Sequence, residues 1–380
     1  MRLKQIIPAA LISMAAGVSA QNGAGINLSL WKDISTQRFD TTKTTYLNIG
    51  ILSTMNRLNG IGVNVIGSAV NSDVNGVQIS GLANLTSGGM CGIQASAITN
   101  INGDNMAGLS VTGLVNIAGN NANGVVISGL TNITGNKSSG LAVSGIMNIN
   151  GDDYKGVSVA GLANVTGGAN AGLMASGLLN LTSGNAIGLQ IAALGNVVAD
   201  TLKGFQMGIL NYATNVRGVQ IGLLNYSRTS FKGVRLGLVN LNPDTRIQMM
   251  LFGGNATKLN VAARFRNKLF YTIVGAGSHY LDFDDKFSAS FFYRCGLWHT
   301  VYKSLSVSGD LGYQHIETFR NKHNGIPPRL YGLQARVNLE YQFTDKFGVF
   351  ASGGYGGSRY YNKNVTYDKG AIAEVGILLF

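Results

Sequence analysis

Past its first twenty residues this chain of 380 has no run of 18 or more apolar side chains, which excludes a membrane-spanning helix. Charge is scarce as well. Asp, Glu, Lys and Arg make up 12% of residues, against about 25% in a typical soluble domain. A sheet with one face against lipid explains such a shortage, because charges on that face are costly. Only two cysteines occur, Cys91 and Cys295, and two so separated make no disulfide framework or Cys-rich metal motif. Aromatic residues are nearly missing from one long stretch: residues 60–203 hold a single one, Tyr154.

The charge that exists is uneven. Residues 60–203 carry Lys137, Lys155 and Lys203 against Asp73, Asp104, Asp152, Asp153 and Asp200. The formal net charge of +12 therefore arises elsewhere, mostly beyond residue 203. It is spread over many short loops and strand ends, and reads as membrane-facing or lumen charge, not as a nucleic-acid patch. Valine, isoleucine and leucine recur with strict periodicity, which disorder does not need.

What is present begins with MRLKQIIPAALISMAAGVSA (1–20), which reads as a secretory signal peptide. Arg2 and Lys4 form its basic start, a short apolar run follows, and Val18-Ser19-Ala20 is a small-residue cleavage site. Maturation at Gln21 is the expectation.

A sixteen-residue repeat fills the middle. Glycine recurs at Gly76, Gly92, Gly108, Gly124, Gly140, Gly156, Gly172, Gly188 and Gly204, and an asparagine follows eight residues after each of the first eight, from Asn84 to Asn196. Shorter units follow, as in GVQIGLLNY (218–226). Within a unit the period is two: Val77, Ile79, Gly81, Ala83 and Leu85 alternate with Gln78, Ser80, Leu82, Asn84 and Thr86. That alternation predicts a half-buried strand of about ten residues and a polar turn. A β-bulge at Ser80-Gly81 would absorb the one-residue deletion of the shorter units.

Strand patterns frame the repeats. The chain divides into 1–20 (leader), 21–59 (N-terminal strands), 60–241 (repeats) and 242–380 (C-terminal barrel strands). The last part reads as eight strands, near 246–253, 258–266, 269–280, 288–298, 304–315, 330–343, 347–355 and 370–380. Tight connections alternate there with longer polar ones, and aromatics gather near strand ends, as in an outer-membrane barrel. The chain ends in AIAEVGILLF, whose terminal Phe380 is the kind of signal that barrel-assembly machinery recognises, although Glu374 shares its face.

Two all-β architectures fit. In the first, every repeat is a transmembrane strand, and about 22 strands close one antiparallel outer-membrane barrel; an even count and consistent loop sidedness favour it. Gln78, Ser80, Asn84 and Thr86 would then line a polar lumen. In the second, residues 60–241 wind as a β-solenoid with an asparagine ladder, and only the last eight strands form a barrel. No 32-residue super-period is present, and the repeats lack an aromatic girdle, which favours the solenoid. The single barrel is the leading expectation.

The GVQIGLLN unit (218–225), followed by NPDTRIQMMLFGGNATKLNVAARF, LFYTIVGAGSHYLDFDDKFSASFFYRCG and GDLGYQHIETF, resembles an uncharacterised surface-repeat family of outer-membrane proteins from Bacteroidota-type bacteria. The likeness runs over nearly the whole mature chain. It implies a location in the bacterial outer membrane, with lipid and the assembly machinery as partners, and it implies no activity.

No constellation points to catalysis, a metal or a cofactor. His279, His299, His315 and His323 lack zinc-like spacing. Asp282, Asp284 and Asp285 crowd one loop without an EF-hand pattern. Gly353-Gly354 and Gly356-Gly357 precede no helix, so they are not phosphate loops. Tyr360 and Tyr361, near Arg359 and Lys363, suit interface anchoring or sugar contact. The reading that follows is a non-enzymatic envelope protein, either a passive porin-like pore or a structural barrel. The alternative is a displayed repeat module that binds glycans, lipopolysaccharide or other cells.

Overall fold

The computed structural model describes residues 25–31, 34–37, 39–279, 281–282, 286–321, 329–363 and 365–380. The expected leader lies outside them. Two compact units divide at Gly208/Ile209, and every regular element among the described residues is a strand.

In the first unit each sixteen-residue repeat makes one coil. A seven-residue strand (Val74–Ser80) reaches the corner Gly81-Leu82, a four-residue strand (Ala83–Thr86) returns, and a short turn leads to the next coil at Met90–Ser96. Neighbouring coils pair in parallel and in register: Gly76 with Gly92, Gln78 with Gln94, Asn84 with Asn100. This is a β-solenoid. It overturns the barrel of about 22 strands, because consecutive strands of an up-and-down barrel are antiparallel. The physical reason is the repeat itself. A parallel in-register stack sets each asparagine on its own counterpart, whereas an antiparallel pair would set it opposite a different residue.

The expected bulge at Ser80-Gly81 is instead the corner of the coil. There the alternation stops, so Leu82 leaves the set of Gln78 and Ser80 and stands exposed. The regular spacing of glycine has a steric cause. Gly92 sits at φ +132°, and a Cβ there would collide with the carbonyl oxygen of Gly76 in the coil before it. At the first end, Ile26–Trp31 pairs in parallel with Thr44–Met55 and, along its other edge, antiparallel with Ile34–Ser35.

The second unit opens with the parallel strands Leu210–Ile221, Leu224–Leu236 and Val239–Leu241. Eight antiparallel strands follow: β1 (Arg246–Gly254), β2 (Leu259–Arg266), β3 (Phe270–Ser278), β4 (Lys286–Tyr302), β5 (Leu305–Asn321), β6 (Arg329–Thr344), β7 (Phe347–Tyr360) and β8 (Thr366–Leu379). Each bonds the next, and β1 bonds β8 through Met249 with Leu379 and Phe252 with Gly376. The sheet closes on itself and has no free edge. The eight sequence-derived strands of this region are all present, several of them longer than their patterns suggested.

Candidate functional site: a filled barrel with an apolar wall

A barrel of eight strands has an interior just wide enough for side chains to fill. Here that filling is charged. Arg264 forks onto Glu340 through two hydrogen bonds, of 2.5 and 2.9 Å, while its Nε donates to Gln248 at 2.7 Å. Arg294 forks onto Glu374 at 2.9 and 3.1 Å, and Arg336 donates to the same carboxylate at 3.1 Å. Asp310 accepts from the Tyr271 hydroxyl at 2.9 Å and from the Asn338 amide at 2.7 Å. Three guanidinium groups thus meet two carboxylates, with Asp310 held apart by Tyr271 and Asn338, and all six charged groups are nearly inaccessible to solvent. Fork geometry and added hydrogen bonds are what make burial of such charges tolerable.

The network is layered along the barrel axis. From the tight-turn end toward the loop end, facing pairs on β5 and β6 run Ser306 with Glu340, Ser308 with Asn338, Asp310 with Arg336, and Gln314 with Gly332. An aromatic cluster of Phe252, Phe292 and Phe350 fills the space beside it, with ring centroids 5.8 and 5.6 Å from Phe252. Arg294 lies 4.9 Å from the Phe252 ring centre and 4.8 Å from that of Phe292. Near the loop end a cavity of about 120 Å³ opens between His279, Gln314, Gln334 and Asp368.

The outer wall has the opposite character. Leu311, Leu333, Val337 and Val375 each expose more than 60% of their surface. Aromatic sets bound this band. Tyr341, Phe343 and Phe347 pack together near the tight turns, and Tyr313, Tyr331 and Tyr361 near the loops. From Tyr331 to Tyr341 is ten residues along β6. At ~3.4 Å each and a tilt of about 40°, they span about 26 Å, the height of a transmembrane apolar band.

The four residues expected to line a lumen are brought together, but not around a channel. Gln78, Ser80, Asn84 and Thr86 are buried in the packed interior of the coil. Asn84 donates to Asn100 at 2.9 Å and to the Ala95 carbonyl at 2.8 Å. The same bond repeats from Asn100 through Asn180, which donates to Asn196. Gln94 donates to Gln78 at 2.9 Å. The coil interior beside Ala142 and Tyr154 keeps a cavity of about 20 Å³, room for about one water. Burial pushes the Tyr154 phenol up to about 12, so it stays a neutral donor, to the Val157 carbonyl at 2.7 Å.

Phe380 packs against the interior cluster of Met250, Phe252 and Leu378, and Glu374 is one of the buried carboxylates. Cys91 is exposed and Cys295 half-buried, both free thiols. Asp284, Asp285 and His323 fall outside the described residues, and among the described ones no three His, Cys, Asp or Glu side chains gather to hold a metal. Tyr361 meets His315 Nδ1 at 2.7 Å and the Tyr313 hydroxyl at 2.5 Å, while Glu317 receives Arg329 at 3.0 Å. Sequence reasoning missed this cluster and the pairing of the interior charges. The available signal was charge at inward positions of alternating strands, as at Arg264, Arg294 and Arg336.

No protein-family model matches the chain, and no curated protein matches it at a significant level.

Proposed function

We propose that this chain is a non-enzymatic, structural protein of the bacterial outer membrane, anchored by its eight-stranded barrel. The observation that carries the reading is the inverted barrel: aliphatic side chains outside, paired Arg and Glu inside. Water-soluble barrels have the reverse distribution, and a bilayer is the surrounding that makes this one stable. The filled interior favours a structural anchor over the porin-like pore, since the layered Arg/Glu pairs occupy the cross-section. Phe380 would be read by assembly machinery before closure, because in the closed barrel it is partly buried against the interior cluster. The likeness of the repeats to an outer-membrane surface-repeat family supports the same location.

Refolded chain in detergent should migrate faster on a gel before boiling than after, and should give no conductance steps in planar bilayers. A mature product that stays dissolved without detergent overturns the membrane reading. Regular conductance steps would overturn the filled-anchor reading.

A further inference from the structure

The solenoid of the first unit shares the inversion of the barrel. Its interior is built mainly from Gln78, Ser80, Asn84, Thr86 and their counterparts, beside a narrower apolar column of Val74, Met90, Met106 and Ala122, while Ile79, Leu82 and Leu85 are each more than 40% exposed. Stacking turns the corner residue into a continuous ridge: Leu82, Ile98, Leu114 and Leu130 stand side by side, and Leu162, Leu178 and Leu194 prolong the line. An ordinary soluble coil would place its aliphatic residues inward and its charges on these outer positions.

Charge is confined to the opposite edge. In each repeat the eleven residues that begin with the glycine, such as 76–86 or 156–166, contain no Asp, Glu, Lys or Arg. All eight charged residues of 60–203 fall in the five-residue remainder, as Asp73, Asp104, Lys137 and Asp153 do. That edge is knit by polar bonds from coil to coil, Asn121 to Asn105 at 2.8 Å and Lys137 to Asp153 at 3.2 Å. In cross-section the coil is a wedge, aliphatic at the Gly-Leu corner and polar at the turns. Its shorter face, four steps from Leu82 to Thr86, is about 13 Å deep, against about 15 Å for the hydrocarbon of one leaflet.

We propose that the first unit lies in one leaflet of the membrane, with the Gly-Leu ridge in the acyl chains and the Asn/Asp/Lys turns in the headgroups. This rests on the membrane reading of the barrel. The composition of the ridge selects lipid over a protein partner or a second copy. It is purely aliphatic, without the Trp, Tyr or Arg that anchor protein interfaces. Within the second unit a coil corner already adjoins the barrel wall: the Gly237 amide donates to the Tyr293 hydroxyl at 3.1 Å, midway along β4, and Leu238 beside it is exposed. The corner of that coil therefore meets the wall at the level of the apolar band.

The test uses the full mature chain with both cysteines replaced by serine. Single cysteines are introduced at the ridge (Leu114→Cys or Leu162→Cys), at the turns (Asn121→Cys) and on the barrel band (Leu333→Cys). All four positions lie outside the buried cores. Each carries a bimane label in phosphatidylcholine vesicles, quenched from within by brominated acyl chains or from water by iodide. The ridge labels should behave like Leu333→Cys, losing at least half their emission to brominated chains, and Asn121→Cys should respond to iodide. Ridge labels quenched by iodide, with Leu333→Cys still quenched by lipid, overturn the inference and leave the barrel reading intact. Ridge labels shielded from both quenchers also overturn it, in favour of a protein cover. If Leu333→Cys escapes the brominated chains, the barrel reading falls and takes the inference with it. Photocrosslinking of the unsubstituted chain by acyl-chain diazirines gives the same answer without variants, through labelled peptides from 108–118 or 156–166.

Discussion

A buried carboxylate that serves two guanidinium groups is the most exposed point of the barrel's energetics. Glu374 holds both Arg294 and Arg336, so Glu374→Ala strands two cations in a medium that cannot solvate them. Breaking such a pair costs about 3–5 kcal/mol. The variant should unfold at distinctly lower urea in lipid vesicles and lose its heat-shifted gel band. Replacing all three groups with Leu and Met of similar volume should recover most of that loss. The coil edge titrates differently. Asp153 is held below the usual carboxylate range, first by the Ala169 amide and then by Lys137. A depressed pKa in the folded state means a contribution present above the ordinary carboxylate pKa and lost as pH falls through the folded one. Asp153→Asn should flatten the acid limb of a Tm-against-pH curve below pH 4 and leave Tm at pH 7 little changed, since the pair is exposed.

The coil is the unit of construction at the next scale, because each contacts its neighbours through an identical register. Stability in such a stack is a sum of coil and interface contributions. Removal of residues 108–123 joins Ala107 to Gly124, which takes the place of Gly108, and rebuilds every ladder bond. That protein should fold with an unchanged barrel and a stack shorter by about 4.8 Å. Removal of residues 108–115 instead sets Gly124 against unlike partners and should destroy the cooperative transition of the coils, read by circular dichroism during thermal unfolding. The same identity explains what the sequence could reveal about the coils. Their period, their glycines and the inward set of Gln78, Ser80, Asn84 and Thr86 were legible, since repetition and alternation are local. Strand direction was only partly legible: period-two alternation is the same for parallel and antiparallel neighbours, and the missing 32-residue super-period was the sign that pointed to parallel pairing. The corner was hidden for a related reason: Gly81-Leu82 continues the alternating pattern on paper while the backbone turns through it.

At the scale of the whole molecule, the eight barrel strands could be read from alternation and loop length alone. The contents of the barrel could not. Arg264 and Glu340 are 76 residues apart, and Arg294 and Glu374 are 80; only closure through β1 and β8 brings such pairs into one cross-section. Both units share a rule that composition had already hinted at through its low charge. In both, polar columns share the interior with a smaller apolar cluster, while many aliphatic side chains face outward.

A stack of parallel strands has an outermost strand, and an uncovered one is a growth site for further copies. Ile26–Trp31 avoids this through the two-residue strand Ile34–Ser35, which folds back along its free edge. This short hook covers the edge at Ser29 and Trp31, so another strand would have to displace it before pairing there.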